Sequence, residues 1–252
     1  MKTIVENSYF INVASEFIFL CLLIFLGLII YHFSRRRNLL KFFNISDSKK
    51  IIIYLSHLRI IPGGALGIDN QPRSFGESAI PLTEVNLIHV FQRLFNFIVP
   101  GVENLPGLLK SLLISDVDVS ILPSPLNTGE VERSDSFVSI GSPGYNVASA
   151  HTENTFHPIG TFTNNNSAIS ISGISPITDL RCSFVQRVYD QSTGQMAFYL
   201  AGMSSLGTYG SVIFLAKRWR YLAKKYPGTQ PFCIVIRVTS NDGQQSEIIL
   251  ER

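Results

Sequence analysis

The sequence predicts an α/β fold: a mixed, largely parallel sheet with flanking helices and C-terminal antiparallel hairpins, preceded by one transmembrane helix. Three observations carry that expectation. Phe17 to Phe33 reads FIFLCLLIFLGLIIYHF, with no acid, lysine or arginine. Ile51 to Leu58 (IIIYLSHL) is the continuous apolar, β-branched run expected of a strand covered on both faces, and hence of a parallel sheet. Met196 to Tyr226 reads as one strand, one glycine-rich turn and one long helix without a break.

The apolar run spans roughly 25 Å as a helix, enough to anchor in a bilayer core of about 30 Å when its flanking residues sit in the interface. A cleaved secretory leader would place its cations before the run. Here Glu6 and Glu16 precede it and Arg35, Arg36 and Arg37 follow. The positive-inside rule then puts the N-terminus outside and the remainder in the cytoplasm, at the inner (plasma) membrane. The resulting organisation is an extracytoplasmic tail (1–16), a transmembrane helix (17–33), a basic juxtamembrane linker (34–48) and a cytoplasmic α/β domain (49–252). Lys41, Lys49 and Lys50 would hold that linker against anionic headgroups.

Only 15% of the 252 residues are charged and 46% are apolar, part of which is the membrane segment. Seven of the 21 cations and three of the 18 acids lie in the first 50 residues, leaving 14 against 15. That balance argues against a nucleic-acid surface. Cys21, Cys182 and Cys233 are far apart and form no CxxC, which reads as reduced thiols, buried in the folded part.

After the first strand comes a long Gly- and Pro-rich loop, RIIPGGALGIDNQPRSFGESAI. A helix is expected from Leu82 to Ile98, with Glu84 on an otherwise apolar stripe and His89 off it, and a shorter one from Leu105 to Leu113. Strands follow at Val117–Pro123 and Ser136–Ile140, separated by a polar loop, with a short helix starting near Pro143. Further strands are expected near Ser167–Ile174, Cys182–Asp190, Ala197–Ala201, Phe232–Val238 and Ser246–Glu251. QSTG and Asn241, Asp242 and Gly243 mark hairpin turns. The main helix should begin near Thr208, burying Val212, Leu215, Trp219, Leu222 and Tyr226, and stop at Pro227 and Gly228.

Ligands of open α/β sheets bind beyond the carboxyl ends of the parallel strands. That rule collects Ser56 and His57, then Ser124, then Gly141, Ser142 and Asn146, and finally Gly202, Ser204, Ser205, Gly207 and Thr208. Gly202, Gly207 and Gly210 would leave amides open at a helix N-terminus, suited to a phosphate or carboxylate. GMSSLGT is not a Walker A loop, since Thr208 stands where the lysine must be and Tyr209 where the magnesium-binding hydroxyl must be. Arg59 and Arg73 bracket the glycine-rich loop and offer an anion clamp. His151, Glu153 and His157 read as surface polar residues rather than a metal site, because HExxH is absent. GxSxG is absent too, and Asp116, Asp118 and Asp135 read as strand-end residues.

The units SFVSIGSPGYN and AFYLAGMSSLGTYG resemble Rossmann-like α/β domains at the superfamily level, without a family fingerprint. The resemblance implies a membrane-anchored sensor or effector domain for a small anionic, nucleotide-like ligand. No cofactor is indicated; the expected partners are the lipid bilayer, that ligand, and a protein partner or second copy. Two other readings stand beside it: an enzyme acting on a nucleotide or sugar through Ser142, His57 or a carboxylate, and a non-catalytic protein-interaction domain whose glycine turns are structural.

Overall fold

The computed structural model describes residues 2–45, 50–61, 64–67, 78–79, 82–95, 117–131, 136–163 and 166–252. The chain divides into two compact units, the first holding the N-terminal helix up to Asn38, the second beginning at Leu39. Helix α1 runs Lys2–Phe42. Its stretch Val13–Phe42, which contains an 18-residue segment of mean hydropathy 2.7, is long and apolar enough to cross a membrane. Phe17, Phe19, Leu20, Leu22 and Leu28 expose most of their apolar surface, as lipid-facing side chains do.

The second unit is α/β. Its seven-stranded sheet has the order β12-β11-β9-β10-β6-β1-β5, from β1 (Lys50–Leu55), β5 (Asp118–Pro123), β6 (Ser136–Ile140), β9 (Cys182–Tyr189), β10 (Met196–Gly202), β11 (Phe232–Val238) and β12 (Ser246–Glu251). Three ladders are parallel (β5/β1, β1/β6, β6/β10) and three antiparallel (β10/β9, β9/β11, β11/β12). The sheet is therefore evenly mixed, not largely parallel. The cause is local: Gly194 (φ 74°) and Gly243 (φ 72°) take the left-handed region, and each reverses the chain in a hairpin.

Between β1 and the first helices, the stretch read as a structureless loop forms a small antiparallel sheet of β2 (Leu58–Ile61), β3 (Gly64–Gly67) and β4 (Ser78–Ala79), in the order β3-β2-β4. A connection that long usually carries structure of its own. The expected helix at Leu82 is broken at Asn86 into α2 (Leu82–Val85) and α3 (Leu87–Phe95). The expected helix Leu105–Leu113 lies outside the described residues. A one-turn α4 (Thr128–Val131) sits in the polar loop, and α5 (Val147–Phe156) follows β6. Strands β7 (Gly160–Thr163) and β8 (Ala168–Ile171) pair as a separate hairpin. Helix α6 (Ser205–Lys225) begins three residues before the expected start, because Ser204 caps it.

One face of the sheet packs against α3 and α6, which bury Leu87, Phe91, Trp219 and Leu222 on it. The other packs against α5, where Tyr54, Phe137 and Ala148 cluster, and against the β7/β8 hairpin, where Phe184, Tyr199 and Cys233 meet Ile169 and Ile171. Cys182 and Cys233 are buried free thiols, the latter pushed up to about 12 by burial.

Residues 34–45, read as linker, are helical through Phe42, and their last turn joins the core of the second unit: Leu39, Phe42 and Phe43 are buried there. Two features stop the helix. Asn44 takes the left-handed conformation (φ 50°), while the Ile45 amide donates to the Leu40 carbonyl (2.9 Å) and the Asn44 amide to that of Lys41 (3.2 Å), a Schellman closure. Ser136, the first residue of β6, then donates its hydroxyl to the Asn44 carbonyl (3.0 Å).

Arg187, fully buried on β9, completes this joint. Its guanidinium donates to the carbonyls of Phe42 (3.4 Å), Tyr226 (2.7 Å) and Gln230 (2.6 Å) and lies 5.1 Å from the ring centres of both Phe42 and Phe232. The ring of Phe42 also meets Phe198 (5.1 Å) and Trp219 (6.3 Å). Phe42→Ala in the full chain is expected to cost about 3–5 kcal/mol, as large buried aromatics do. Chemical unfolding in detergent, followed by the fluorescence of Trp219, measures it. Combined with Arg187→Met the losses should be less than additive, because both changes break the same contact.

Candidate functional site

The four mutually parallel strands lie in the order β5-β1-β6-β10. From β1 the chain moves to β5 on one side, then returns to β6 on the other, so the direction of progress reverses between β1 and β6. Loops leaving those two carboxyl ends lead to opposite faces of the sheet, the position at which open α/β sheets generally bind their ligands.

Ser56 and His57 leave the end of β1; Gly141 and Ser142 leave the end of β6. The Ser56 amide donates to Glu84 Oε2 of α2 (2.7 Å), and its hydroxyl to the carbonyl of Ile140 (3.2 Å). Gly141 (φ 96°) is required twice over. Its backbone is left-handed, and a Cβ there would stand 2.1 Å from Ser56 Oγ and 3.7 Å from Glu84 Oε1. Glu84 is 6% exposed. Burial pushes its carboxyl up to about 7, against the opposing hydrogen bonds from Ser56.

Around this carboxyl the remaining polar groups hold backbone. Buried Asn146 donates to the carbonyls of Tyr54 (3.0 Å) and Ile140 (2.8 Å), and its Oδ1 caps α5 through the Ala148 amide (2.9 Å). Ser124, after β5, accepts from the Val147 amide (2.8 Å). The Ser149 hydroxyl donates to the Gly141 carbonyl (2.7 Å), and the His57 amide to that of Tyr145 (2.7 Å). Ser56, His57, Ser124, Ser142 and Asn146 are thus brought to one end of neighbouring strands and are buried. Arg59 lies in β2, and Arg73 lies outside the described residues.

At the end of β10 the geometry differs from an open anion cradle. The Gly202 amide donates to Thr208 Oγ1 (3.1 Å), the Met203 amide to the Cys182 carbonyl (2.9 Å), the Gly207 amide to Ser204 Oγ (3.2 Å) and the Thr208 amide to the Ser204 carbonyl (2.9 Å). Ser204 in turn donates to the Leu180 carbonyl (2.6 Å), while Ser205 is exposed. A Cβ on Gly202 would fall 2.5 Å from the backbone of Gly207 and Thr208, and one on Gly207 would fall 2.9 Å from the Cys182 carbonyl. These glycines are explained by strand and helix backbones in direct contact. Gly210 likewise lets the helix approach Val238.

His151 is buried, contrary to its reading as a surface residue: its ring sits between Phe137 (6.5 Å) and Phe156 (5.8 Å). Glu153 accepts from the Tyr199 hydroxyl (2.8 Å) and the Phe162 amide (2.9 Å), tying the β7/β8 hairpin to the sheet, and burial raises its pKa. His157 is exposed at the end of α5. Among the described residues no cluster of His, Cys, Asp and Glu is placed to hold a metal. His89 is exposed, as expected, and Asp118 is exposed at the start of β5. Asp116 and Asp135 lie outside the described residues.

Glu84 belongs to no sequence motif. Its signal was an acid on the core-facing stripe of an apolar helix, where an ionised carboxylate has no ordinary place.

The raised pKa makes a thermodynamic prediction with a definite sign. The folded state holds a proton on Glu84 that the unfolded chain releases above about 4.5, so this contribution is complete below that pH and is lost as pH rises through about 7. Relative to Glu84→Gln, the unsubstituted chain should lose about 3 kcal/mol of stability between pH 4.5 and 8. Denaturant unfolding of the two proteins across that range checks it; parallel curves would show an ordinary carboxyl. Set against known proteins, the chain matches no family model, no curated protein and no solved structure.

Proposed function

We propose that this chain is a single-pass membrane protein whose α/β domain, Rossmann-like in layout, is a cytoplasmic sensor or effector that binds a small anionic, nucleotide-like ligand in the crevice between β1 and β6. The observation that carries the reading is Glu84: a buried carboxyl, able to give or take a proton near neutral pH, at the reversal point of the strand order. When protonated it can donate to a phosphate or carboxylate; when ionised it repels one. Ser142 and the Ser56 and His57 turn supply hydroxyl and imidazole groups suited to a sugar or phosphate oxygen.

A specific contact supports a second reading. The Glu84 carboxyl accepts from the Ser56 backbone amide at the strand ends, so an enzyme acting on a nucleotide or sugar would use that carboxyl as its general base.

Full-length protein in nanodiscs, melted with nucleoside phosphates and phosphorylated sugars, tests both. Ligand binding to the native state raises the melting temperature, and an anionic ligand should bind roughly tenfold more tightly at pH 6 than at pH 8. Glu84→Gln should flatten that pH dependence. Turnover of the stabilising compound would favour the enzyme, and no stabilisation by any compound would leave the protein-interaction reading.

The orientation rests on the cations Arg35, Arg36, Arg37 and Lys41 after the apolar run. In intact cells an impermeant maleimide should label Ser8→Cys but not Leu126→Cys, although Leu126 is 79% exposed on the domain surface. The opposite pattern would invert the topology.

A further inference from the structure

We propose that the cationic face of α6 is a second membrane contact, a docking surface for anionic lipid headgroups that is independent of the crevice and its ligand. Lys217, Arg218, Arg220, Lys224 and Lys225 are all exposed, and the 21-residue helix contains no acid. At about 100° per residue they fall within one arc of roughly 160°, opposite the buried stripe. Tyr221, 42% exposed, stands in the middle of them. Beyond the first 50 residues cations and acids nearly balance, so this helix concentrates positive charge that the rest of the chain offsets.

Its position relative to the bilayer is limited by the chain. Arg187 holds the Phe42 carbonyl, at the end of α1, and the Tyr226 carbonyl, at the end of α6, on one guanidinium. Nine residues separate Phe42 from Phe33, where the apolar run stops. Even fully extended, nine residues reach only about 30 Å. Whatever the orientation, the cationic last turn of α6 stays near the lipid surface at high effective concentration. Lys225 is paired with Glu251, and Lys217 donates to the Gln244 carbonyl. Arg218, Arg220 and Lys224 add to these, and each cation near an anionic leaflet strengthens the attraction.

The test uses the full chain with Cys21→Ser and a fluorophore on Tyr221→Cys, reconstituted at one copy per nanodisc with headgroup spin-labelled lipid as quencher. Cys182 and Cys233 are buried and spared from labelling. Quenching should rise about twofold when about 30% phosphatidylserine replaces neutral lipid, and fall back in about 0.5 M salt. A fluorophore on Leu126→Cys should show neither change. Arg218→Gln, Arg220→Gln and Lys224→Gln together should abolish the rise, and the salt response of the chain without these three changes tests the idea without relying on that variant. Quenching indifferent to lipid charge would overturn the proposal. So would a signal that appears only in discs holding two copies, which would assign the face to self-association.

Discussion

Arg187 is the contact on which the arrangement of this domain depends. A guanidinium is the one side chain with enough donors, in a rigid plane, to satisfy several carbonyls at once. Here those carbonyls belong to the end of α1, the end of α6 and the segment leading into β11. Helix C-termini carry partial negative charge and unsatisfied acceptors, so the cation meets favourable dipoles in place of a carboxylate. The rings of Phe42 and Phe232 beside it supply the rest of its solvation. Burial lowers its pKa to about 10, which leaves it a cation at any physiological pH. With that joint made, α1 is a core element of the domain at its last turn: Phe43 meets Phe95 of α3 at 4.9 Å and Phe198 of β10 at 4.5 Å.

The two glycine-containing turns that follow parallel strands show how similar local sequence serves different ends. After β10, glycine removes side chains so that helix and strand backbones touch, and Ser204 and Thr208 take up amides of the turn. After β6, Gly141 makes room for the hydroxyl of Ser56, and through Ser56 for the carboxyl of Glu84. The first turn is closed by its own residues. The second brings a titratable group against the strand ends.

Much of the fold was legible because it rests on local pattern. The stripe Val212, Leu215, Trp219, Leu222 and Tyr226 is buried as its spacing requires, and both hairpin turns stand where QSTG and Asp242–Gly243 place them. What could not be read depends on contacts distant in sequence. Leu39, Phe42 and Phe43 look like the tail of an anchor until Phe198, Trp219 and Phe232 are brought beside them. His151 looks polar until Phe137 and Phe156 enclose it. The candidate site was half legible: Ser56, His57, Gly141, Ser142 and Asn146 follow from the strand-end rule, whereas the preference for β1/β6 over β10 needs the strand order, and the role of Glu84 needs its partner 28 residues away.

The same physics separates the two buried ionisable groups that matter most. Both lose water, and loss of water favours the neutral form of each. Arg187 starts far above neutral pH and finds acceptors for its planar fork, so desolvation never reaches the range in which its charge is at issue. Glu84 starts just below that range and is opposed by hydrogen bonding with Ser56 too weakly to offset burial, so the same penalty carries it to about 7. A fold needing only a polar contact with the Ser56 amide would be served by a glutamine, which accepts the same hydrogen bond without a pH-dependent cost. An acid at that point makes the strand ends sensitive to protons.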